Sequence, residues 1–174
     1  MKHRRRIDVV LSPEYLDALD THTLEELGEM RVLVDDLENQ LSFYRRVLHG
    51  RMDVLRFEQR RRRGEDSRSI IEALPELLAI GNQEGNGNGN GNALDRLHAD
   101  FAPELPEVER RYTSVMNDDI LTRLPDLDDD DLTLALEAFG ALEEKLSGQR
   151  NALHEIHDAL VTEIAGRHVA SDPA

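Results

Sequence analysis

A large apolar residue returns at every seventh position over two long stretches of this chain. Leu27, Val34, Leu41, Leu48 and Leu55 mark the first, and Leu132, Phe139, Leu146, Leu153 and Leu160 the second. That period keeps one side of an α-helix apolar along its whole length and requires a partner helix to cover it. Met30, Leu37 and Tyr44 supply the companion seam positions in the first stretch, and Leu142 and Ile156 in the second, while Arg51 and Glu58 weaken the first seam toward its end. The pattern runs without proline from about Leu24 to about Arg63. Four heptads of this kind predict a helix of ~40 residues, ~60 Å long at 1.5 Å per residue. Aromatic residues make up 4% of the chain and there is no Trp, a thin supply for an aromatic-rich β core. Leu, Glu, Asp, Arg and Ala dominate instead, and the expected fold is all-α.

Local signals place the boundaries. Residues 12–63 read as a first half: Ser12 and Pro13 open a short helix as N-cap and first-turn proline, then Thr23 and Glu26 form a capping box before the long helix. Arg60 to Arg63 suit a helix C-terminus and Gly64 stops it. Residues 64–80 contain SRSIIEALPELLAI, a strongly apolar helical piece kinked or restarted at Pro75. Such a run either packs on the coiled coil or offers Ile70, Ile71, Leu74, Leu77 and Leu78 to a partner. Residues 81–92 end in EGNGNGNGN, a flexible tether without apolar anchors. Two short helices are expected over 93–116, and residues 117–168 form a second half whose aspartate run, Asp128 to Asp131, caps its long helix. All of this fits one helical domain of 174 residues with a loose C-terminal SDPA.

With 36 acidic and 21 basic residues the net charge is -15, so phosphate backbones are repelled and direct nucleic-acid binding is not expected. A basic protein surface is a better match. The chain has no cysteine, which excludes disulfides, thiolate metal sites and a cysteine nucleophile, and fits a reducing interior. The opening MKHRRRIDVVLSPEY has the basic flank of a signal peptide, but Asp8 and Pro13 cut its apolar run short. No stretch approaches the ~20 apolar residues of a membrane span. The chain reads as cytoplasmic.

The two heptad sets are related by an offset of 105 residues, which carries Leu27 onto Leu132 and Leu41 onto Leu146. Sliding residues 12–62 onto 117–167 without a gap also aligns five polar positions: Glu38 with Glu143, Ser42 with Ser147, Arg45 with Arg150, His49 with His154, and Asp53 with Asp158. Leucine at heptad positions is shared by any two coiled-coil helices, whereas E-x3-S-x2-R-x3-H-x3-D twice over is not. At 100° per residue the five side chains of each copy fall within an arc of ~80°, stretched over ~22 Å of helix. They flank the apolar seam, so a pair of packed helices displays two long polar stripes.

Metal binding fits these stripes poorly. The carboxylate-bridged helical bundles need Glu-x-x-His, but Arg46 stands three residues before His49 and Asn151 three before His154. Arg45 and Arg150 would also repel a cation. His154 and His157 have a ligand-like spacing, but the offset puts Met52 opposite His157. Catalysis fails on geometry, because Ser42 and His49 lie ~10 Å apart along one helix, beyond the hydrogen bond a nucleophile and its base require. A solvated face of intrahelical pairs, Glu38 to Ser42, Arg45 to His49 and His49 to Asp53, accounts for one copy but gives no reason for the second. A ligand with repeated hydrogen-bonding units accounts for both. Arginine's planar fork suits guanine O6 and N7 or phosphate, and a carboxylate suits guanine N1–H and N2–H2. A guanine dinucleotide qualifies.

At these residues the chain resembles the RsiG family of actinobacterial anti-sigma factors, which bind cyclic di-GMP and hold the sporulation sigma factor WhiG. That family carries two copies of E-x3-S-x2-R-x3-Q-x3-D on two long antiparallel helices. Here the motif stands as Glu38, Ser42, Arg45, His49 and Asp53, and again as Glu143, Ser147, Arg150, His154 and Asp158. The resemblance implies a cyclic di-GMP dimer along the paired stripes, with Arg and Asp reading guanines, and no catalysis. It also implies a WhiG-type sigma factor as partner. With both copies in one chain, the expectation is a monomer alone and a heterodimer with sigma. His replaces Gln in both copies; neutral imidazole keeps a donor and an acceptor, and its charged form attracts phosphate, so nucleotide affinity is expected to rise as pH falls through the imidazole range. The alternative is a coiled-coil adaptor that binds its partner without any ligand.

Overall fold

The computed structural model describes residues 6–80 and 119–171. The tether expected at 81–92 and the short helices expected at 93–116 lie outside the described residues. Four α-helices are described: α1 (Arg6–Val10), α2 (Leu24–Arg62), α3 (Ile70–Ile80) and α4 (Asp129–Ser171). Short 3-10 turns stand at Pro13–Leu16, Leu19–Thr21, Asp119–Leu121 and Leu124–Asp126. Among the described residues there is no strand.

Each long helix begins where its cap dictates. The Thr23 amide donates to Glu26 Oε2 at 2.7 Å and the Glu26 amide to Thr23 Oγ1 at 3.2 Å, the reciprocal box expected from the sequence. Asp128 and Asp131 make the same box ahead of α4, with the Asp131 amide donating to Asp128 Oδ1 at 2.7 Å. A third box, Ser69 with Glu72, opens α3. Gly64 ends α2 at φ 78°, and amide bonds from Gly64 to Arg61 O and from Glu65 to Arg60 O close the last turn. The short helix expected from Ser12 to Leu19 is instead a pair of 3-10 turns. Ser12 makes no side-chain cap bond, and Ala18, in the left-handed region at φ 55°, breaks the run before Leu19. The apolar run from Ile7, read from sequence only as short and interrupted by Asp8, lies in α1, with Ile7 and Val10 buried. α3 runs through Pro75 as one helix.

Two compact units divide the chain: Met1–Phe43 with Lys145–Ala174, and Tyr44–Glu144. In the first, α2 packs antiparallel on α4, pairing Glu38 with Arg150 and His22 with Arg167. Its buried residues include Leu27, Val34, Leu37 and Leu41 from α2 and Leu146, Leu153, Ile156 and Leu160 from α4. In the second unit the helices also run antiparallel, pairing Arg45 with Glu143 and Arg62 with Asp129. Tyr44, Leu48, Leu55, Leu132 and Phe139 are buried there, together with Ala73 and Leu77 of α3. All ten seven-spaced seam residues are buried. Fully burying a side chain of this size is worth ~1.5–3 kcal/mol, so these seams are a main source of stability. No described helix is long and apolar enough to cross a membrane.

The offset of 105 residues reappears in the element bounds. It carries Leu19–Thr21 onto Leu124–Asp126, the cap Thr23 onto Asp128, and the first residue of α2 onto that of α4.

Candidate functional site

Glu38, Arg45, Glu143 and Arg150 occupy heptad position e, beside the seam, and from there a long side chain reaches the neighbouring helix. In the unit of Met1–Phe43 and Lys145–Ala174, Glu38 Oε1 accepts a bond from Ser42 Oγ at 2.8 Å along its own helix and one from Arg150 Nε at 2.7 Å on α4. His154 Nε2 stands 3.2 Å from the same oxygen. Burial pushes the Glu38 carboxyl up, but the bonds from Arg150, Ser42 and His154 and the Arg150 charge outweigh it and hold the group below the usual glutamate range. The carboxylate is therefore ionised at neutral pH and only accepts, which assigns the proton to Nε2 of His154.

In the unit of Tyr44–Glu144 the same atoms meet. Glu143 Oε1 accepts from Arg45 Nε at 2.9 Å, and His49 Nε2 lies 3.2 Å from it. Each cluster thus takes its carboxylate from one copy of the motif and its guanidinium and imidazole from the other. Arg45 and His49, considered from the sequence as intrahelical partners, both reach across to Glu143, while Glu38–Ser42 forms within its helix as the spacing suggests.

Of the remaining motif residues, Ser147 is half-buried one turn from Glu143. The two aspartates stand outside the clusters. Asp53 accepts from Arg56 Nη1 at 3.3 Å on its own helix, and Asp158 is 83% exposed beside His157 Nδ1 at 3.4 Å. His157 also places Nε2 3.4 Å from Asp35 Oδ1 on α2, a cross-helix pair that the sequence reading did not anticipate. The signal for it was present: Asp35 and His157 are each one turn from Glu38 and His154, in opposite chain directions, as an antiparallel register requires.

A second pair of recurring residues, Glu58 with Arg62 and Glu163 with Arg167, carries no ligand-binding expectation from the sequence. Arg62 Nε donates to Glu58 Oε1 at 2.8 Å and its Nη2 to the Leu124 carbonyl at 3.1 Å. Arg167 Nε likewise donates to Glu163 Oε1 at 2.8 Å, and its terminal nitrogens to the carbonyls of Leu19 and His22. Leu19 and Leu124 are themselves 105 apart, so each half presents the same turn to the same arginine. Glu58 is 2% exposed and also takes two bonds from Arg61. Bonds from Arg61, opposed by burial and reinforced by Arg62 and the two charges, keep its carboxyl below the usual range.

Chemically, each cluster offers a guanidinium held by Nε, with an imidazole beside it. Arg150 has no partner among the described residues other than Glu38, which leaves its terminal nitrogens available to a planar acceptor pair such as guanine O6 and N7 or to phosphate.

Residues 13–78 match the family model RsiG, described as RsiG-like. The match spans 66 of the 174 residues, from the 3-10 turns through α2 into α3, and includes the first motif copy, Glu38 to Asp53. The second copy on α4 lies beyond it. No curated protein and no solved structure matches the chain.

Proposed function

An RsiG-like segment at residues 13–78 supports an anti-sigma role for this chain, and on that premise we propose that it is an anti-sigma factor gated by cyclic di-GMP, with a WhiG-type sigma factor as partner. The carrying observation is the identical wiring of the two clusters, Glu Oε1 to Arg Nε and His Nε2, built in each case from both motif copies. A ligand that is itself a repeat of two guanine nucleotides matches a motif that occurs twice. Arg45 and Arg150 read guanine or phosphate; His49 and His154 add a second contact, and Asp53 and Asp158 take guanine donors at the ends of the stripes.

Gating follows from where the clusters sit. Each joins α2 to α4 within its unit, so a nucleotide that engages the arginine and imidazole biases how those helices pack. A sigma factor that binds one packing is thereby coupled to the nucleotide, and reciprocity requires that sigma tighten nucleotide binding in turn. The recurrence itself reflects duplication of a single-motif unit that had to dimerise to bring two motifs together. The present chain, holding both, acts as a cytoplasmic monomer that forms a heterodimer with sigma and performs no catalysis. A stable homodimer by light scattering would count against this history.

Calorimetric titration with cyclic di-GMP, with cyclic di-AMP as control and with and without the sigma factor, tests the reading. Saturable heat for the guanine nucleotide supports it, and silence in every arm sinks it. One observation favours a ligand-independent adaptor: both carboxylates are already satisfied by protein groups, as a plain cross-helix zipper requires. The double substitution Arg45→Ala with Arg150→Ala separates the two. It abolishes sigma binding under gating and leaves it nearly intact for an adaptor, provided a thermal melt shows the variant folded.

A further inference from the structure

The unit Tyr44–Glu144 has two features that the clusters do not use, the arginine run ending α2 and the outer face of α3. Beyond Asp53 the polar stripe of α2 continues. Arg56, Arg60 and Arg63 follow at heptad positions b, f and b, those already held by His49 and Asp53, and all three are exposed. They span ~10 Å of helix. Arg61 and Arg62 between them are bound to Glu58, and Arg56 reaches Asp53 at 3.3 Å, whereas neither Arg60 nor Arg63 forms an ion pair among the described residues. The Arg60 guanidinium stands 5.9 Å from the centre of the buried Phe57 ring, and that of Arg68, just ahead of α3, at the same distance. Arg68 thus ties the segment ahead of α3 to the ring that Arg60 also approaches. α3 turns Ala73 and Leu77 inward and leaves Ile71 82% and Leu74 38% exposed.

The second half of the chain lacks this surface. The offset that matches Leu55 to Leu160, Glu58 to Glu163 and Arg62 to Arg167 sets Arg56, Arg60 and Arg63 against Val161, Ala165 and His168. On this stretch the recurrence holds at Leu55, Glu58 and Arg62, fails at the buried Phe57, which lies opposite Thr162, and fails at all three exposed arginines of the stripe. A ligand with two equivalent halves calls for the same side chains twice. A surface present once suits a single protein chain.

We propose that Arg56, Arg60 and Arg63, together with Ile71 and Leu74 of α3, dock an acidic amphipathic segment of the protein partner, its carboxylates facing the arginines and its apolar face meeting α3. Nucleic acid is the poorer occupant because the chain carries a net charge of -15. The inference rests on the sigma-binding reading and says where that partner lands.

The test titrates the variant R60E/R63E, which leaves Arg56 on Asp53, with a WhiG-type sigma factor in the presence of cyclic di-GMP, at low and at raised salt, beside the unaltered chain. The expected result is sigma affinity about tenfold weaker or more at low salt, a flatter salt dependence, and unchanged nucleotide binding in the absence of sigma. The variant R60K/R63K, which keeps the charge, restores affinity, and Ile71→Ser with Leu74→Ser weakens binding without altering the salt slope. Unchanged sigma affinity in a folded R60E/R63E variant overturns the proposal. So does loss of nucleotide binding in that variant, or a DNA oligonucleotide that binds the unaltered chain through the same arginines. If the unaltered chain binds no sigma factor at all, the gated reading itself fails.

Discussion

The clusters on Glu143 and Glu38 use the same three atoms, yet Arg45 and His49 are 25% and 22% exposed where Arg150 and His154 are 32% and 51%. The aspartates farther along differ more, Asp53 at 20% and Asp158 at 83%. The recurring residues decide which atoms meet, and the residues around them, which do not recur, decide how much water reaches the meeting. An ion pair at the surface contributes little, while breaking a sheltered one leaves a poorly solvated charge. Equal wiring therefore does not mean equal energy.

The sharpest way to break this comparison is at those seam positions where the two halves match in burial as well as identity. Leu48 and Leu153 are 105 apart and 1% and 0% exposed. Leu48→Ala and Leu153→Ala should each cost ~2–5 kcal/mol of unfolding free energy, and by similar amounts. Urea melts of the two variants measure this, and a large disparity would mean that the halves are not equivalent even where they look so. At the clusters the halves should part. Removing Glu143 takes from Arg45 and His49, the more sheltered pair, the carboxylate they share, so Glu143→Ala should cost ~1–3 kcal/mol and Glu38→Ala less. The reverse order in the same melts would show that exposure is not what ranks the clusters. The matched caps come next: Thr23→Ala and Asp128→Ala should each cost ~1 kcal/mol, read from loss of helical ellipticity on heating.

The smallest effect is pH-dependent. The Glu38 carboxyl is depressed in the folded protein, so its contribution is complete above the ordinary glutamate range. As pH falls below that range the unfolded chain binds a proton that the folded chain does not, and the contribution drains away until the folded group also protonates. The urea midpoints of the unaltered chain and of Glu38→Gln should therefore converge on acidification from neutral pH. A constant gap would mean that Glu38 acts through shape rather than charge.

Much of the fold was legible because it rests on periodicity. Seven-spaced Leu, Val and Phe specify a covered helix face whatever the partner, and Thr23 with Glu26 marks a helix start through bonds only three residues long. Reciprocal pairing of the motifs was not legible, because e-position side chains point along either helix until an antiparallel register is set, and register depends on packing between residues a hundred positions apart. Ser12 misled for a related reason: its N-cap chemistry is local, whereas Ala18 in the left-handed region is imposed by the turns around it. The site's residues were visible as a recurrence. Which of them touch, and the two aspartates' separation from the rest, required the fold.

The arginines that grip the 3-10 turns bear on how the protein breathes. Helix ends are ordinarily the first backbone to open, with amides exchanging at little free-energy cost. Arg62 is the final residue of α2 and Arg167 lies just before the last turn of α4, and each is fastened to carbonyls ahead of the other helix. An end cannot unwind without releasing the turn that leads into its neighbour's first residues. Amide exchange at the closing turns should accordingly be slow and should rise together with exchange at Leu19–Thr21 or Leu124–Asp126, so that loosening spreads between strands of chain remote in sequence rather than creeping inward from a single terminus.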